Sequence, residues 1–437
     1  MNIIIAGAGK VGFNLAKTLC IGHNVTIIDK NSEALHRIQE SLDILPMQGD
    51  VEDANIYNHF IDKKIDLFIA VTNIDNVNLI STLMADSVLE IDRKFVRLQK
   101  HFFADTKVQK KLQIDMLIFP IKIASKAIAS LMDYPKANNV KFFKYTDYKL
   151  ISVRASQDIE VLSFQLKNFK IVGIEREKSF FIPQKDEKIF ANDLVYFFGE
   201  EKDIREACDI LNIEDKEEIQ KCVIFGANEL GVSIAKDLLE SKKSVKLIDT
   251  NLEKCKKADE ILAGNASVIN LKYGDTTIYD EENLSEADVF IAATNNDEYN
   301  IIKCLEARGK GIHKVMAINN EMEYYSLMHS LGIIVIRGPK MSAYNTIIEH
   351  ISASGVIVEK SFCGSKAFVY MRNIFSSSHF IGKKIKPLKL NTSKIFYMRN
   401  AQLFPFEKKL ILEKSDLIIA FCTIKESSKV KQWIYEL

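Results

Sequence analysis

The 437-residue chain has almost no net charge, no paired cysteines and no membrane-length apolar run, and it carries no familiar catalytic signature. Each absence removes a class of function. Its 59 basic and 58 acidic side chains leave a formal charge of +1. Nucleic-acid binders draw affinity from phosphate neutralisation and carry a basic excess, so no nucleic-acid partner is expected. The seven cysteines, Cys20, Cys208, Cys222, Cys255, Cys304, Cys363 and Cys422, stand singly. No C-x-x-C spacing offers zinc ligands or a redox pair, and no metal site is expected. Dispersed cysteines without a signal peptide suit a reducing cytosol, most of them serving as small buried apolar groups. No stretch reaches the roughly 18–20 apolar residues that span a bilayer. The expectation is a soluble protein that acts on a membrane process only through a partner.

Catalytic constellations are missing as well. The eight histidines (His23, His36, His59, His101, His313, His329, His350 and His379) show neither pairing nor metal spacing. A dehydrogenase needs a proton donor or acceptor beside its nicotinamide and a cradle for its substrate. No residues form such a set, so no enzyme and no catalytic residue are expected. An NAD-dependent oxidoreductase is the minor alternative. A DNA-binding redox sensor would need a helix-turn-helix region or a basic excess.

What the chain does contain, it contains twice. Near the start, Ile3-Ile4-Ile5-Ala6 runs into Gly7-Ala8-Gly9-Lys10-Val11-Gly12. Halfway along, Val223-Ile224-Phe225 runs into Gly226-Ala227-Asn228-Glu229-Leu230-Gly231. Asp29 then matches Asp249, and Asp50 matches Asp275. Thr72, Asp75 and Asn78 match Thr294, Asp297 and Asn300, and Pro120 matches Pro339. Short apolar strands at 2–6, 24–29, 44–47, 67–71, 94–98 and 116–119 alternate with helical patterns. The second copy repeats them at 222–225, 244–249, 268–271, 289–293, 315–318 and 333–336. That alternation predicts a parallel sheet covered on both faces, in two copies.

Each copy is followed by a segment of different character. Strands are expected at 150–154, 171–175, 179–183 and 194–198, with a turn at Ala191-Asn192-Asp193. The C-terminal segment matches this one, with Arg176 against Arg399, Pro183 against Pro405 and Asp193 against Asp416. The expected order is A–B–A′–B′, with helices at 121–131 and 341–352 joining each A to its B. Glu214-Asp215-Lys216-Glu217-Glu218 reads as a solvated linker. Phe142-Phe143, Phe180-Phe181 and Phe197-Phe198 read as core, and Lys383, Lys384, Lys386, Lys389 and Lys394 as a solvated face.

The first glycine loop has the context of a nucleotide site. The first glycine makes the tight turn, the second lets phosphate approach the backbone, and the third allows close helix–strand packing. The helix N-terminus then offers N–H groups and a favourable dipole to a pyrophosphate. Asp29 ends the second strand at the distance where a carboxylate meets ribose hydroxyls, which favours NAD(H) over a 2′-phosphate. Asp50 and Thr72-Asn73 lie at the same carboxyl edge, although Asp50 and Asp75 could equally be helix caps. In the second copy, Asn228 stands where the middle glycine would be. Asn tolerates the turn, but close phosphate approach is in doubt. Asp249 keeps an adenosine-type ligand open there.

Gly7 to Gly12 with Asp29, Gly49-Asp50, the Thr-Asn-x-Asp-x-x-Asn stretch, Asp133-Tyr134-Pro135 and the A–B–A′–B′ order together resemble a known family. It is the TrkA family, the cytoplasmic peripheral subunits of bacterial Trk potassium-uptake systems, and the resemblance covers essentially the whole chain. The family implies an α/β fold of two RCK modules (regulators of conductance of potassium). Each module is a Rossmann-like, doubly wound parallel-sheet domain followed by a small α/β C-terminal domain. The implied boundaries are 1–134, 135–212, 219–345 and 346–437. The resemblance implies binding of NAD(H), with ATP or ADP as further candidates, assembly into a homo-oligomeric ring, taken as a tetramer, and gating of a TrkH- or TrkG-like membrane potassium transporter subunit. It places the protein in the cytoplasm, peripheral to the inner face of the plasma membrane. Family ligand positions fall on Gly7, Ala8, Gly9, Lys10, Val11, Asp29, Asp50, Thr72 and Asn73. Arg97 matches a family arginine able to pair with phosphate. Gly12 completes the first loop, and the second copy offers Gly226, Gly231, Asp249, Asp275 and Thr294. No arginine stands at Ala317-Ile318. A regulatory subunit of another potassium or cation system is the alternative within the same fold.

Overall fold

The computed structural model describes residues 1–161, 169–184, 186–213, 218–272, 277–352, 357–375, 378, 380–385, 388, 393–406 and 410–437. The chain forms two compact units. One comprises Met1–Ser125 with Arg337–Ile348, and the other Lys126–Ile336 with Glu349–Leu437.

The first unit is built on six parallel strands: β1 (Asn2–Ala6), β2 (Asn24–Asp29), β3 (Leu45–Gln48), β4 (Leu67–Ala70), β5 (Lys94–Arg97) and β6 (Met116–Ile118). Their order is β3-β2-β1-β4-β5-β6. Ile3, Ile4, Ile5 and Ala6 of β1 are buried, as is the whole of β4, because helices cover both sheet faces. Each fully buried Ile or Phe contributes roughly 1.5–3 kcal/mol. Helix α1 (Lys10–Leu19) lays Val11, Leu15, Ala16 and Leu19 against the sheet, a stripe at helical spacing. Helices α2 (Ser32–Gln39) and α3 (Asp75–Val88) follow β2 and β4. The chain runs outward from β1 to β3, then returns to β4 on the other side. Strand order therefore reverses between β1 and β4, and their carboxyl ends frame an open crevice. The segment from the second copy also belongs to this unit, where the Tyr344 hydroxyl lies 2.8 Å from Thr18 Oγ1.

In the second unit the same sheet recurs. Its order is Ser267–Asn270, Ser244–Asp249, Lys221–Phe225, Val289–Ala292, Lys314–Asn319 and Ile334–Arg337. The expected strands are present in both copies. Between β3 and β4 the intervening helix is a 3₁₀ helix, Ala54–Phe60, capped by the Asp53 carboxylate on Asn55 N–H.

The two small lobes are antiparallel five-stranded sheets of identical strand order. In the first, Ala137–Lys141 pairs with Lys149–Arg154, which pairs with Leu194–Gly199, then Lys170–Arg176 and Ser179–Phe181. The second runs Ile357–Phe362, Ala367–Asn373, Leu417–Thr423, Ser393–Arg399, Gln402–Pro405. The first-listed edge strand of each was not expected from the sequence. Their faces share one core, in which Phe143, Val172, Tyr196 and Phe198 meet Phe362, Val369 and Phe421. Phe198 and Phe421 stand 5.2 Å apart between ring centroids. Lys394 departs from the expected solvated face. Its ammonium donates to the Ile171 carbonyl at 3.0 Å, and burial, with Lys170 nearby, lowers its pKa to about 8. Lys386, Lys389, His379 and most of the Glu214–Glu218 run lie outside the described residues. All seven cysteines are free, and all but Cys20 are buried.

Each lobe carries one buried charge pair at its hairpin. Arg176 Nη2 meets Asp193 Oδ2 at 2.8 Å, and Arg399 Nη2 meets Asp416 Oδ2 at 2.7 Å. Asp416 is only 1% exposed and also accepts from Glu413 N–H. Removing the arginine strands that carboxylate. Arg399→Ala is expected to cost roughly 2–3 kcal/mol, because the arginine is itself partly solvated, with Arg399→Lys intermediate. The midpoint of urea unfolding measures it, and an unchanged midpoint contradicts the assignment.

Candidate functional site

The crevice of the first unit is lined by backbone before it is lined by side chains. Gly7 takes φ +111°, a conformation that L side chains rarely adopt. It fits because a Cβ there would sit 3.0 Å from Thr72 N. At Gly12 a Cβ would lie 1.9 Å from the Gly7 carbonyl oxygen, so the helix can seat on the turn only through glycine. Gly9 is different. It has φ −70° and ψ −176°, and nothing stands within 4 Å of where its Cβ would be. No side chain caps α1 at Gly9. The middle glycine thus opens the helix N-terminus to whatever fills the crevice.

Asp29 fixes the loop from the neighbouring strand. Its Oδ2 accepts the Ala8 N–H at 2.6 Å and its Oδ1 the Asn31 N–H at 2.8 Å. A carboxylate has about four acceptor positions, so hydroxyl donors can still reach it. Asp50 is exposed and accepts from Glu52 N–H at 3.0 Å in its own turn. It caps no helix, since Asp53 does so. Gly49 packs against Ile56, leaving no room for a Cβ there.

Across the crevice, Thr72 is held by a residue that sequence reasoning placed in the motif but not in the site. Asn78 is 1% exposed. Its Oδ1 accepts from Thr72 N–H at 2.9 Å and from Thr72 Oγ1 at 2.7 Å. Its Nδ2 donates to the carbonyls of Thr72 and Arg97, at 3.0 and 2.8 Å. One buried amide therefore ties the ends of β4 and β5 together. Asp75 lies in the first turn of α3 yet accepts from Gln99 and Lys100 N–H, at 2.7 and 2.9 Å. Its role is to pin the loop after β5. Asn73 is exposed beside Thr72, and its carbonyl accepts from Gln99 Nε2. Arg97 ends β5, and its Nε is buried with no hydrogen-bond partner among the described residues. Burial lowers its pKa, opposed by Asp75. The crevice thus presents an uncovered helix start at Gly9 and a carboxylate with spare acceptor capacity at Asp29, and Arg97 is a partly buried cation at the end of β5.

The second copy keeps the scaffold and closes the opening. Gly226 has φ +118°, and a Cβ at Gly231 would lie 1.8 Å from the Gly226 carbonyl oxygen. Asp249, buried, accepts from Ala227 and Asn251 N–H, each at 2.8 Å. Asn300 repeats Asn78, binding Thr294 and the Ile318 carbonyl. That carbonyl fixes Ile318 as the counterpart of Arg97, so the cation is absent. Asn228 Oδ1 accepts from Leu230 and Gly231 N–H, at 2.9 and 3.0 Å. Asp275 lies outside the described residues.

Among the described residues, no group of three or more His, Cys, Asp or Glu side chains could hold a metal ion. No described helix is long and apolar enough to cross a membrane.

This architecture agrees with that of known proteins. The TrkA-N domain matches residues 3–120 and 222–339, and the TrkA-C domain matches 159–212. The chain is similar to a Trk system potassium uptake protein TrkA homolog of Methanosarcina mazei, with 24% identity over 450 residues, covering 99% of this chain and 100% of that one. Similarity to Trk system potassium uptake protein TrkA of Vibrio alginolyticus is 27% over 446 residues, covering 98% and 96%. Among solved structures, the GsuK RCK domain aligns over 100% of this chain and 95% of that one, with TM-score 0.63 and 15% identity. The GsuK channel bound to NAD aligns with TM-score 0.64 and 16% identity, over 100% of this chain and 79% of that one. Two RCK-type modules, each a parallel-sheet domain with a small lobe, are thus the fold. With two TrkA-N domains and a TrkA-C domain between them, the chain belongs to the TrkA family.

Proposed function

We propose that the chain is a nucleotide-sensing, non-enzymatic regulatory subunit of a membrane potassium-uptake transporter, and that its first copy is the sensor. The observation that carries this is the uncapped N-terminus of α1 at Gly9, facing Asp29 across the turn. A pyrophosphate would lie on the N–H groups of Lys10, Val11 and Gly12, favoured by the helix dipole. Asp29 would accept from the adenosine ribose, with Ala8 held in place beneath it. Thr72 and Asn73 would line the phosphate side, Arg97 would pair with phosphate, and Asp50 would stand at the adenosine end. NAD(H) is the first candidate and ATP or ADP the next. The solved GsuK relatives are described as bound to NAD and to ADP, which supports both.

The names of the relatives support a part in potassium uptake; a membrane partner of the TrkH or TrkG type and a location at the inner face of the membrane belong to the same proposal. Assembly as a homo-oligomer, read as a tetrameric ring, gains support from repeated exposed apolar pairs: Ile80 with Leu83 on α3, and Ile302 with Leu305 at the matching positions. Nucleotide can act only through differential affinity for two arrangements of such an assembly.

Titration with NAD, NADH, ATP and ADP tests the reading. At least one is expected to bind saturably, and no binding by any of them contradicts it. Asp29→Ala removes charge-assisted hydrogen bonds of roughly 1.5–3 kcal/mol, so affinity is expected to fall about 10- to 100-fold. Gly9→Val is expected to separate binding from folding. Its backbone angles suit any residue and its surroundings are open, so the cost should be only that of a poorer N-cap residue, about 1 kcal/mol, and the variant should remain folded. The new side chain fills the phosphate approach, so binding should be lost. A variant that unfolds, or one that binds normally, goes against this assignment.

A further inference from the structure

We infer that Asn228 is a built-in occupant of the second copy's phosphate position, so each chain carries one exchangeable nucleotide site rather than two. The count of one rests on the reading of the first copy given above; the self-occupation of the second does not.

A helix start has N–H groups that its own backbone cannot satisfy. In dinucleotide folds the phosphate supplies the missing acceptor. In the second copy the chain supplies it. Asn228 is the N-cap of Glu229–Glu240, and its Oδ1 accepts from Leu230 and Gly231 at 2.9 and 3.0 Å. These two residues correspond to Val11 and Gly12, which Gly9 cannot cap because it has no side chain. The other end of the amide completes the closure. Asn228 Nδ2 donates to the Ala293 carbonyl at 2.8 Å. Ala293 follows Val289–Ala292, the strand next to Lys221–Phe225, and so stands on the far side of the strand-order reversal. A single side chain thus bridges both flanks of the crevice.

An incoming phosphate would have to displace both amide bonds and break the bridge, without an arginine to receive it at Ile318. Asp249 does not oppose this closure. Its oxygens hold Ala227 and Asn251 as Asp29 holds Ala8 and Asn31, so the same clamp serves a loop with or without ligand. The retained Gly226, Gly231, Asp249 and Thr294 are then elements of the scaffold.

Two measurements on the full chain decide the matter. The first is amide hydrogen exchange. In the native protein the Leu230 and Gly231 amides should be protected without nucleotide and unchanged by it, while Val11 and Gly12 gain protection on adding NADH. Asn228→Ala should speed exchange at Leu230 and Gly231 by roughly five- to thirty-fold, the range for loss of one helix cap. Asn228→Asp keeps the acceptor and should keep that protection, which covers the case in which the alanine variant fails to fold. The second is stoichiometry by equilibrium dialysis with the same nucleotide. One per chain is expected for the native protein, and Asn228→Gly should raise it toward two. Two per chain in the native protein, or added protection at Leu230 and Gly231 on binding, would overturn the inference. No binding at all would refute the one-site count together with the reading of the first copy, leaving the amide exchange to decide the self-occupation.

Discussion

Everything at the candidate site depends on how sharply the chain must turn between its first strand and first helix. The carbonyl of Gly7 lies where a side chain at Gly12 would begin, 1.9 Å from the ideal Cβ position. Helix α1 can approach β1 this closely only because both positions are glycine, and that approach aims its N-terminus along the sheet edge. A turn this tight leaves the Ala8 N–H facing the neighbouring strand, and Asp29 receives it at 2.6 Å. The carboxylate read from sequence as a ribose ligand is therefore first a structural clamp. The two roles are compatible because one carboxylate accepts several donors.

The duplication shows what happens when that constraint is kept and a single position drifts. Gly226, Gly231 and Asp249 reproduce the turn and its clamp, with the clamping bond 2.8 Å against 2.6 Å in the first copy. Asn78 and Asn300 reproduce the tie between the fourth and fifth strands. These are the residues that shape a crevice. What differs are Gly9 against Asn228 at the helix start and Arg97 against Ile318 at the end of the fifth strand. The scaffold is thus separable from those two positions, and the second copy retains it without them.

Much of this was legible in the sequence. The two parallel sheets and their strands followed from the alternation of apolar runs and helices, because a parallel sheet must be covered on both faces. The sequence matched Arg176 with Arg399 and Asp193 with Asp416 as repeated positions; that each arginine pairs with its aspartate is seen only in the structure. The missing parts share a cause. Ala137–Lys141 and Ile357–Phe362 are half-buried edge strands that lack the apolar run of a central strand. Lys394 carries a charge, so composition alone puts it in solvent, whereas sheet pairing turns it onto the Ile171 carbonyl. At Asn228 the sequence shows only that a side chain intrudes. That the amide turns back to cap its own helix depends on rotamer and register, which are three-dimensional properties.

A last constraint bears on which part of the chain can respond. Within the second unit, Glu175 of the first lobe is almost fully buried between His329 of the second parallel-sheet domain and Lys366 of the second lobe. Burial alone would raise its pKa, but His329 and Lys366 overcome that and hold it below the usual value. His329 Nε2 lies 3.4 Å from one carboxylate oxygen, with burial lowering the His329 pKa against the pull of Glu175, and the Lys366 ammonium bonds the other oxygen. Three domains meet at one ionised carboxylate. These contacts tie the three domains together at that carboxylate. The second copy is thus self-capped at Asn228 and joined to both lobes through Glu175. The first copy has an uncapped helix and lies in the other compact unit. The asymmetry between two copies of one fold thus extends from a single side chain at the helix start to the surroundings in which each copy is held.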